Sequence, residues 1–463
     1  MTGKKYKNRT DWGMIAVIVS LAWPTMLEQL MQTAVQYIDT AMVGSLGTQA
    51  TAAVGSTTTV NWLLSSSISA LGIGFLAFIA KSCGANDRES ASKAVAQAVV
   101  VTVVVGSAFT VLALSLSSRV PVWMQVDESI QHLAGRYFFI LYLPMLPRTA
   151  SIIFGTALRA AGDTRTPMKV GIAVNIINIV LNFIFIYPVR TLDIFGTEFT
   201  MFGMGWGVLG AAAASAIAFT VGGICTTAAV WRHPVVSPKG QRFAPDSKIL
   251  KPCLKVAVPN MLQRFGTSLG YVAFASMINS VGEIATAAHT IANTVESAFY
   301  IPGFGMQTAA ATLAGNAYGA KDGKNMQRLA KMFIPLEIVL MIISGAALYI
   351  SAPMLVDIFS DSTEVISLGT KVLRMVALSE PFYGFSIIVE GFMMGVGRTR
   401  TPFIYNILGM WGVRIVGTFI CTQLLGYGLV SAWACMIIHN LFVFVLYLSC
   451  YVRGKWNPLK EQL

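Results

Sequence analysis

The chain has 463 residues and a formal net charge of +12, with 55% hydrophobic and only 12% charged residues. Because soluble domains carry about 25% charged residues, this composition excludes an ordinary soluble protein. Apolar stretches near the roughly 20 residues needed to cross a bilayer recur along the chain, and we count twelve, among them Trp12–Gln32, Ala94–Leu116, Val170–Tyr187, Phe333–Ser351 and Val430–Tyr451. The sequence predicts an all-α polytopic membrane protein with twelve transmembrane helices.

The first predicted helix has no signal-peptide cleavage site and is expected to be retained. It carries an acid, Asp39, in EQLMQTAVQYIDTAMVGSLG. Ionisable residues inside membrane helices are costly and are candidates for function by default. Burial disfavours a charged carboxylate, so Asp39 suits an ion-coupling site. The alternative is a structural acid at the outer interface, close to the Gly44–Gly47 turn.

Other residues of this helix are candidates for roles beside Asp39. Gln32 and Gln36 lie roughly on its face, and Met31 has a side chain that adapts to many ligand shapes, although packing between helices is the alternative for methionine. These three are candidate substrate contacts. Pro24 can bend the helix because it removes one backbone hydrogen bond.

The fifth predicted helix, VGIAVNIINIVLNFIFIY, places Asn175, Asn178 and Asn182 on one face. Three amides on one face indicate a wet cavity or a polar seam, and hydrogen-bonded packing between helices is the alternative. Asn175 joins the candidate substrate contacts. Ser215, in the small-residue stretch of the sixth predicted helix, adds a hydroxyl group.

The positive charge follows the expected membrane topology rather than a nucleic-acid surface. With the N-terminus in the cytoplasm and twelve alternating helices, 25 of the 33 Lys and Arg residues fall on the cytoplasmic side, beginning with Lys4, Lys5, Lys7 and Arg9. This is the positive-inside distribution. Both termini are therefore predicted to be cytoplasmic, the partner is the lipid bilayer, and no nucleic-acid partner is expected.

The chain repeats itself at an offset of 235 positions. Pro24 aligns with Pro259, and the motif GDTRTP at Gly162 aligns with GRTRTP at Gly397. Beyond them the offset falls to 221, so the first half carries about 14 extra residues near Arg190–Gly203. An even number of helices per half makes this a parallel repeat. We expect a six-helix N-lobe (1–232), a basic cytoplasmic linker (233–255) and a six-helix C-lobe (256–463), with an architectural role for the duplicated motif.

Catalytic and metal-binding patterns are absent from the sequence. The four His residues are scattered without ligand-like spacing, the six Cys residues form no CxxC pair, and there is no Walker loop or nucleophile–base set. We therefore expect neither an enzyme nor a resident metal or cofactor. Arg264, Arg414, Glu28, Glu296, Glu380 and Glu390 are further intramembrane charges that spacing alone does not pair.

Several segments together resemble the multidrug and toxic compound extrusion (MATE) family. They are IDTAMVGSLG, CGAND and YGAKD, LRAAGDTRTP, NIINIVLNFIFI and GWGVLGAAAASAIA. The resemblance covers essentially the whole chain, and it implies export of organic, often cationic compounds in exchange for H+ or Na+, without any other cofactor.

Within that family the sequence is more similar to the DinF-like branch, in which an N-lobe acid couples the ion. The resemblance then implies ion-coupling roles for Asp39, Asn178, Asn182 and Ser215. Some relatives have Asp where this chain has Asn182, so a second N-lobe carboxylate is missing. The positions at which the NorM-like branch has acids hold Thr267 and Tyr383 here, and that C-lobe cation site is not expected.

The predicted function is therefore a multidrug antiporter in the inner (plasma) membrane that works by alternating access. Its partners would be small organic substrates. Because one chain contains two complete lobes, a monomer would be sufficient for transport. One alternative is a flippase for a lipid-linked or amphipathic metabolite, which strongly basic cavity walls would favour. The other is a passive channel or a membrane scaffold, for which transport would not depend on an ion gradient.

Overall fold

The computed structural model describes residues 10–124, 126–194 and 197–460. The predicted N-terminal cluster of Lys4, Lys5, Lys7 and Arg9 therefore lies outside the described residues. The first half consists of eight helices and a small hairpin: α1 (Asp11–Gly44), α2 (Thr48–Gly84), α3 (Arg88–Leu116), α4 (Val120–Trp123), α5 (Glu128–Tyr142), α6 (Met145–Ala160), α7 (Arg165–Phe185), β1 (Pro188–Ile194), β2 (Thr197–Met204) and α8 (Gly207–Arg232).

The second half follows a linker and begins with a long helix. Its elements are α9 (Ser247–Asn279), α10 (Glu283–Phe299), α11 (Ile301–Gly319), α12 (Gly323–Asp357), α13 (Thr363–Ala377), α14 (Glu380–Gly395), α15 (Arg400–Ile407), α16 (Val416–Phe419) and α17 (Leu429–Val452). The segments Leu408–Ile415 and Ile420–Leu424 are π-helical and make α15 and α16 parts of one continuous run.

These helices form twelve spans. Eight helical runs of the described chain are long and apolar enough to cross a bilayer, and the bent pairs α5–α6 and α13–α14, with bends of 49° and 51°, make two more. The last two are α9 and the consecutive helices α10 and α11. They are less apolar because they carry side chains such as Asn260, Arg264 and Glu296.

The turns repeat in backbone geometry as well as in sequence. Asn86 and Lys321, which are 235 positions apart, both have a positive φ, of 58° and 52°. Gly162 and Gly397 in the duplicated motif have φ values of 84° and 79°, a conformation that glycine adopts without steric cost. In each copy the motif ends one helix and begins the next, as its expected architectural role requires.

The extra residues of the first half form a hairpin rather than an irregular loop. The strands β1 and β2 pair antiparallel, with Arg190 opposite Met201, Thr191 opposite Thr200, and a register irregularity between Pro188 and Arg190. The turn residues 195–196 lie outside the described part. The hairpin marks one end of the bundle, here called the hairpin end. The opposite end carries the linker and the duplicated motifs and is called the basic end.

Helix α1 belongs to both halves of the molecule. Before Pro24 its residues Met14, Ile18 and Leu21 pack into the core of the second half, against α11, α12 and α14. After Pro24 it packs against α7 of the first half. The helix is nevertheless continuous from Asp11 to Gly44 with Pro24 inside it.

The two halves are in close contact at the basic end. A Cβ atom on Gly84 of α2 would overlap the backbone of Asn316, and one on Gly319 of α11 would overlap the backbone of Lys81. Only glycine permits backbones to approach so closely. At the other end of α1 a single described hydrogen bond joins the halves, from the exposed Tyr37 hydroxyl to the Thr294 carbonyl oxygen at 3.3 Å.

Candidate functional site

Asp39 lies in a hydrogen-bonded cluster between α1, α7 and α8. The Nδ2 atom of Asn182 donates to Asp39 Oδ1 at 2.6 Å and lies 3.2 Å from Asn178 Oδ1, and Asn178 Nδ2 lies 3.1 Å from Ser215 Oγ. Asn178 and Asn182 are buried, whereas Asp39 and Ser215 are half-buried. The structure thus brings together the four residues predicted for ion coupling.

The Asn178 amide satisfies more groups when its oxygen and nitrogen are exchanged. Its Nδ2 then donates to Asp39 Oδ1 at 2.9 Å and to Oδ2 at 3.2 Å, and its oxygen accepts from the Ser215 hydroxyl at 3.1 Å. Amide orientation is assigned from such networks. In this orientation Asp39 receives hydrogen bonds from two amides.

The α-helical repeat of α7 produces this arrangement. Residues three and four positions apart share a face, so Asn178 and Asn182 present their amides to α1 in consecutive turns. Asp39 is five residues from the end of α1 and Asn182 three residues from the end of α7. At 1.5 Å per residue, Asp39 and Asn182 lie within about 8 Å of the hairpin end of their helices.

The predicted substrate contacts are not part of the cluster. Gln32 and Gln36 are exposed on α1 and Met31 is half-buried. Asn175 is buried on α7, one turn from Asn178, and its Nδ2 has no hydrogen-bond partner among the described residues. Asn175 therefore needs an additional partner, as does Asn182, whose Oδ1 also has none among the described residues.

Glu28, one of the intramembrane charges of the first half, forms an ion pair with Arg159. Arg159 of α6 donates to both oxygens of Glu28 of α1, at 2.7 and 2.8 Å. Both contacts come from Nη2 of Arg159. The Glu28 side chain is buried, and a hydrogen bond between two charged groups is a strong interaction. Glu28 is thus the partner of Arg159, and it is not available to Arg264 or Arg414.

The second half contains a polar cavity of about 210 Å³ that sequence analysis did not predict. Arg264, Arg414, Glu296, Glu380 and Glu390 all line it, together with Thr267 and Tyr383. The sequence shows intramembrane charges at the five Arg and Glu positions. They converge because of the way in which α9, α10, α14 and the π-helical segment pack, and spacing along one helix does not reveal that packing.

The two arginines of this cavity form no ion pair within the described chain. The Arg414 guanidinium packs on the rings of Phe274 and Tyr271, 4.1 and 4.9 Å from their centroids. Arg264 donates from Nε to Asn260 Oδ1 at 3.0 Å. Aromatic faces attract a guanidinium and favour its burial. Arg414 also lies in a π-helical turn, a feature common at functional sites.

One buried acid was missed altogether. Glu337 of α12 is 0% exposed, and neither carboxyl oxygen has a hydrogen-bond partner among the described residues. The signal was a single acid in the apolar run FIPLEIVLMI, which should be taken as a candidate on the cost of burying an ionisable group.

The MatE family model matches residues 24–184 and, a second time, residues 259–420. The chain belongs to the MatE family. Because the two matches begin 235 positions apart, they also confirm the predicted repeat. A Thermotoga maritima protein named probable multidrug resistance protein NorM is 26% identical over 95% of this chain and 92% of its own.

Solved MATE structures confirm the predicted fold. An outward-facing multidrug resistance MATE transporter of the MOP superfamily superimposes with a TM-score of 0.87 at 24% identity, over 96% of each chain. A MOP superfamily transporter from Pyrococcus furiosus Vc1, described as having a binding pocket of reversed polarity, gives 0.86 at 25% identity, also over 96% of each chain. The chain is a multi-pass membrane transporter of the MATE multidrug efflux family and not an enzyme.

The chemistry available at the Asp39 cluster is that of oxygen ligands and one titratable group. A carboxylate beside amide and hydroxyl oxygens can hold a proton or a hard cation such as Na+. In the described residues no group of three or more His, Cys, Asp or Glu side chains is placed to hold a metal ion.

Proposed function

We propose that the chain is a secondary active antiporter that exports organic, often cationic and amphipathic compounds in exchange for H+ or Na+ by alternating access. The observation that carries the proposal is the hydrogen-bonded cluster of Asp39, Asn178, Asn182 and Ser215. The name of the Thermotoga maritima relative and the multidrug resistance transporter among the solved structures support export of small organic compounds. No cofactor beyond the coupling ion is proposed, and a monomer suffices.

Asp39 is the ion-coupling group in this mechanism. When it is charged, it accepts the Asn182 amide at 2.6 Å and fastens the end of α1 to α7. A hydrogen bond to a charged group contributes roughly 1.5–3 kcal/mol. Binding of the ion neutralises or occupies the carboxylate and weakens this attachment, so the cluster responds directly to the ion.

Helix α1 transmits the change to the other lobe because it packs into both. Ion binding acts on its segment after Pro24, and the segment before Pro24 packs into the core of the second half. The missing hydrogen bond at proline allows the two segments to reorient. Exchange then requires only that ion and substrate favour different conformations.

In this proposal the substrate binds beside the Asp39 cluster. Gln32, Gln36 and Met31 lie before Asp39 on α1, and Asn175 has an unpartnered amide one turn from Asn178. Polar groups of this kind orient a ligand, while adaptable side chains such as methionine tolerate different shapes. We assign the basic end, including the linker, to the cytoplasmic side of the inner membrane, because the positive-inside rule applies to its loops.

The N-lobe cluster also supports a DinF-like mode of coupling within the family. The positions expected to carry C-lobe acids in a NorM-like mode hold Thr267 and Tyr383, and the Thr267 hydroxyl bonds to the Gln263 carbonyl of its own helix at 2.9 Å. Na+ is retained beside H+ because the carboxylate of Asp39 and the unpartnered side-chain oxygen of Asn182 suit a hard cation.

The test is ethidium efflux from proteoliposomes on which a pH gradient or a Na+ gradient is imposed separately. We expect one gradient to drive efflux by the unmodified protein and Asp39→Asn to reduce that rate about a hundredfold, at the upper end of usual coupling free energies. The matched control is Asp127→Asn, which removes an acid at the same end of the bundle and keeps a residue suited to cap α5.

Retention of full gradient-driven efflux by Asp39→Asn at normal reconstitution would refute the coupling assignment. Ethidium movement that depends on neither gradient would favour a passive channel instead. A flippase is disfavoured by the C-lobe cavity, which has carboxyl groups beside its two arginines and is therefore not strongly basic.

A further inference from the structure

Two adjoining depressions lie at the basic end of the second half, where α9 and α15 begin. The first, here called the basic pocket, has a volume of about 530 Å³ and is lined by Lys255, Gly397, Arg398, Thr399, Arg400, Thr401 and Lys455. The second, the apolar groove, has a volume of about 660 Å³. Both include Lys255 and Arg400, so they are continuous.

The basic pocket concentrates positive charge without a balancing acid. Lys255, Arg398, Arg400 and Lys455 are exposed around it, and Lys251 follows in the groove. Arg398 donates to the Lys455 carbonyl oxygen at 2.6 Å, which shapes the pocket wall. Across the described ranges Lys251, Lys255 and Arg400 form no ion pair, so their charges are available to an anion.

The other copy of the motif lacks this cluster. At an offset of 235 positions, Ser20 stands for Lys255, Asp163 for Arg398 and Arg165 for Arg400. Asp163 accepts the Thr166 amide at 3.0 Å and its hydroxyl at 2.6 Å, and so serves its own helix start. Both copies face the same side of the membrane, so the positive-inside rule alone does not explain why only one carries this cluster.

The apolar groove runs along the outer face of α9. Leu254 and Val258 line it and are 44% and 42% exposed. The neighbouring face of the helix, with Cys253 and Ala257, packs against Gly74 of α2. Because side chains 254 and 258 lie one turn apart, they form an apolar strip that leads from the basic pocket along the surface that lipid would cover.

We propose that these two depressions bind an acidic phospholipid of the leaflet at the basic end. The phosphate group lies in the basic pocket against Lys255 and Arg400, near the first amide groups of α15, where a helix N-terminus also attracts anions. An acyl chain follows Leu254 and Val258. Basic pockets between membrane helices recognise lipid head groups in this way. The lipid would then sit behind the contact of α9 with α2, which is one of the contacts between the two halves.

The test is native mass spectrometry of the full-length protein, purified in detergent and equilibrated with phosphatidylglycerol or with phosphatidylcholine of the same acyl chains. We expect the unmodified protein to retain phosphatidylglycerol preferentially. The variant Lys251→Gln/Lys255→Gln/Arg400→Gln should bind it about a hundredfold more weakly, since each basic residue contributes substantially near a lipid head group. The matched control Arg165→Gln removes the equivalent arginine of the other copy and should leave retention unchanged.

Two further measurements keep the test decisive. The single variant Lys255→Ser introduces the residue of the other copy and should weaken phosphatidylglycerol binding even if the triple variant is poorly folded. Leu254→Ser/Val258→Ser should weaken lipid binding without changing the charge. Unchanged phosphatidylglycerol retention in the triple or the single variant would overturn the proposal. So would displacement of the lipid by glycerol phosphate at equal concentration, which would indicate a site for free phosphate.

Discussion

The two lobes share a scaffold, but they carry different charges around one equivalent position. Asp39 in the first half corresponds to Phe274 in the second. Asp39 accepts an amide hydrogen bond from Asn182, whereas Phe274 lies under the Arg414 guanidinium. The first half therefore presents an acid with amide partners where the second presents an arginine on an aromatic ring.

The lobes also differ in how they satisfy buried charge. Glu28 and Arg159 pair with each other, and their counterparts in the repeat, Gln263 and Met394, cannot. Gln263 instead donates to Glu390 at 2.8 Å. A duplicated fold can thus keep its turns and helix packing while each copy acquires its own interior chemistry, and function must be assigned to each lobe separately.

The largest effect on stability is expected when the Glu28–Arg159 pair is broken. Arg159→Met, which introduces the residue of the other lobe, leaves a buried carboxylate without its partner and should lower the free energy of unfolding by about 3–5 kcal/mol. The double variant Glu28→Gln/Arg159→Met transplants the uncharged pair and should recover most of the loss. Denaturant titration of the purified protein in detergent measures both, and equal loss in the two variants would show that charge pairing is not the cause.

A smaller loss of stability, equal in the two halves, is expected when the helix cap that both halves share is removed. Asp87 accepts the Ser90 amide at 2.9 Å at the start of α3, and Asp322 accepts the Asn325 amide at 3.0 Å at the start of α12. Each change to Ala should cost about 1 kcal/mol, and each change to Asn much less. Clearly unequal losses in the same titration would mean that the scaffold itself has diverged.

The Asp87 cap also has a defined dependence on pH. Hydrogen bonds from Ser90 lower the pKa of this carboxyl group below its ordinary value. Its contribution to stability is therefore present above the unfolded-state pKa and is lost as the pH falls through the lower, folded-state pKa. The difference in stability between the unmodified protein and Asp87→Ala should shrink over that acidic range.

The smallest effect is expected at Arg414. The cost of burying its guanidinium is offset by the Phe274 and Tyr271 rings, so Arg414→Met should change the free energy of unfolding by less than about 1 kcal/mol. This contrasts with Arg159→Met. A loss as large as at Arg159 would show that Arg414 has a strong partner and would remove the difference between the lobes.

The fold and the N-lobe cluster could be predicted from the sequence, and the reasons are physical. The repeat was visible because turns need particular residues, such as glycine at Gly162 and Gly397 with their positive φ. Asn178 and Asn182 could be placed together because they lie on one helix with a regular period. The proximity of Asp39 and Ser215 to them came from the family resemblance, since sequence spacing does not relate different helices.

The C-lobe cavity and the hairpin could not be predicted from the sequence in this way. The cavity depends on how α9, α10, α14 and a π-helical run pack, and the π-helical register moves Arg414 away from the face that an α-helical period predicts. The pairing of Glu28 with Arg159 joins residues 131 positions apart. The extra outer residues were recognised as an insertion, but their antiparallel register was not predicted.

The most direct test of the central claim measures ethidium binding to the detergent-purified protein while H+ or Na+ is titrated. Linkage requires the coupling ion to change the substrate affinity, usually by about 5- to 150-fold. We expect the ethidium affinity to depend on one ion in the unmodified protein and in the C-lobe variant Glu390→Gln, and to depend on neither ion in Asp39→Asn. An ion dependence that survives in Asp39→Asn and disappears in Glu390→Gln would contradict the account and assign coupling to the other lobe.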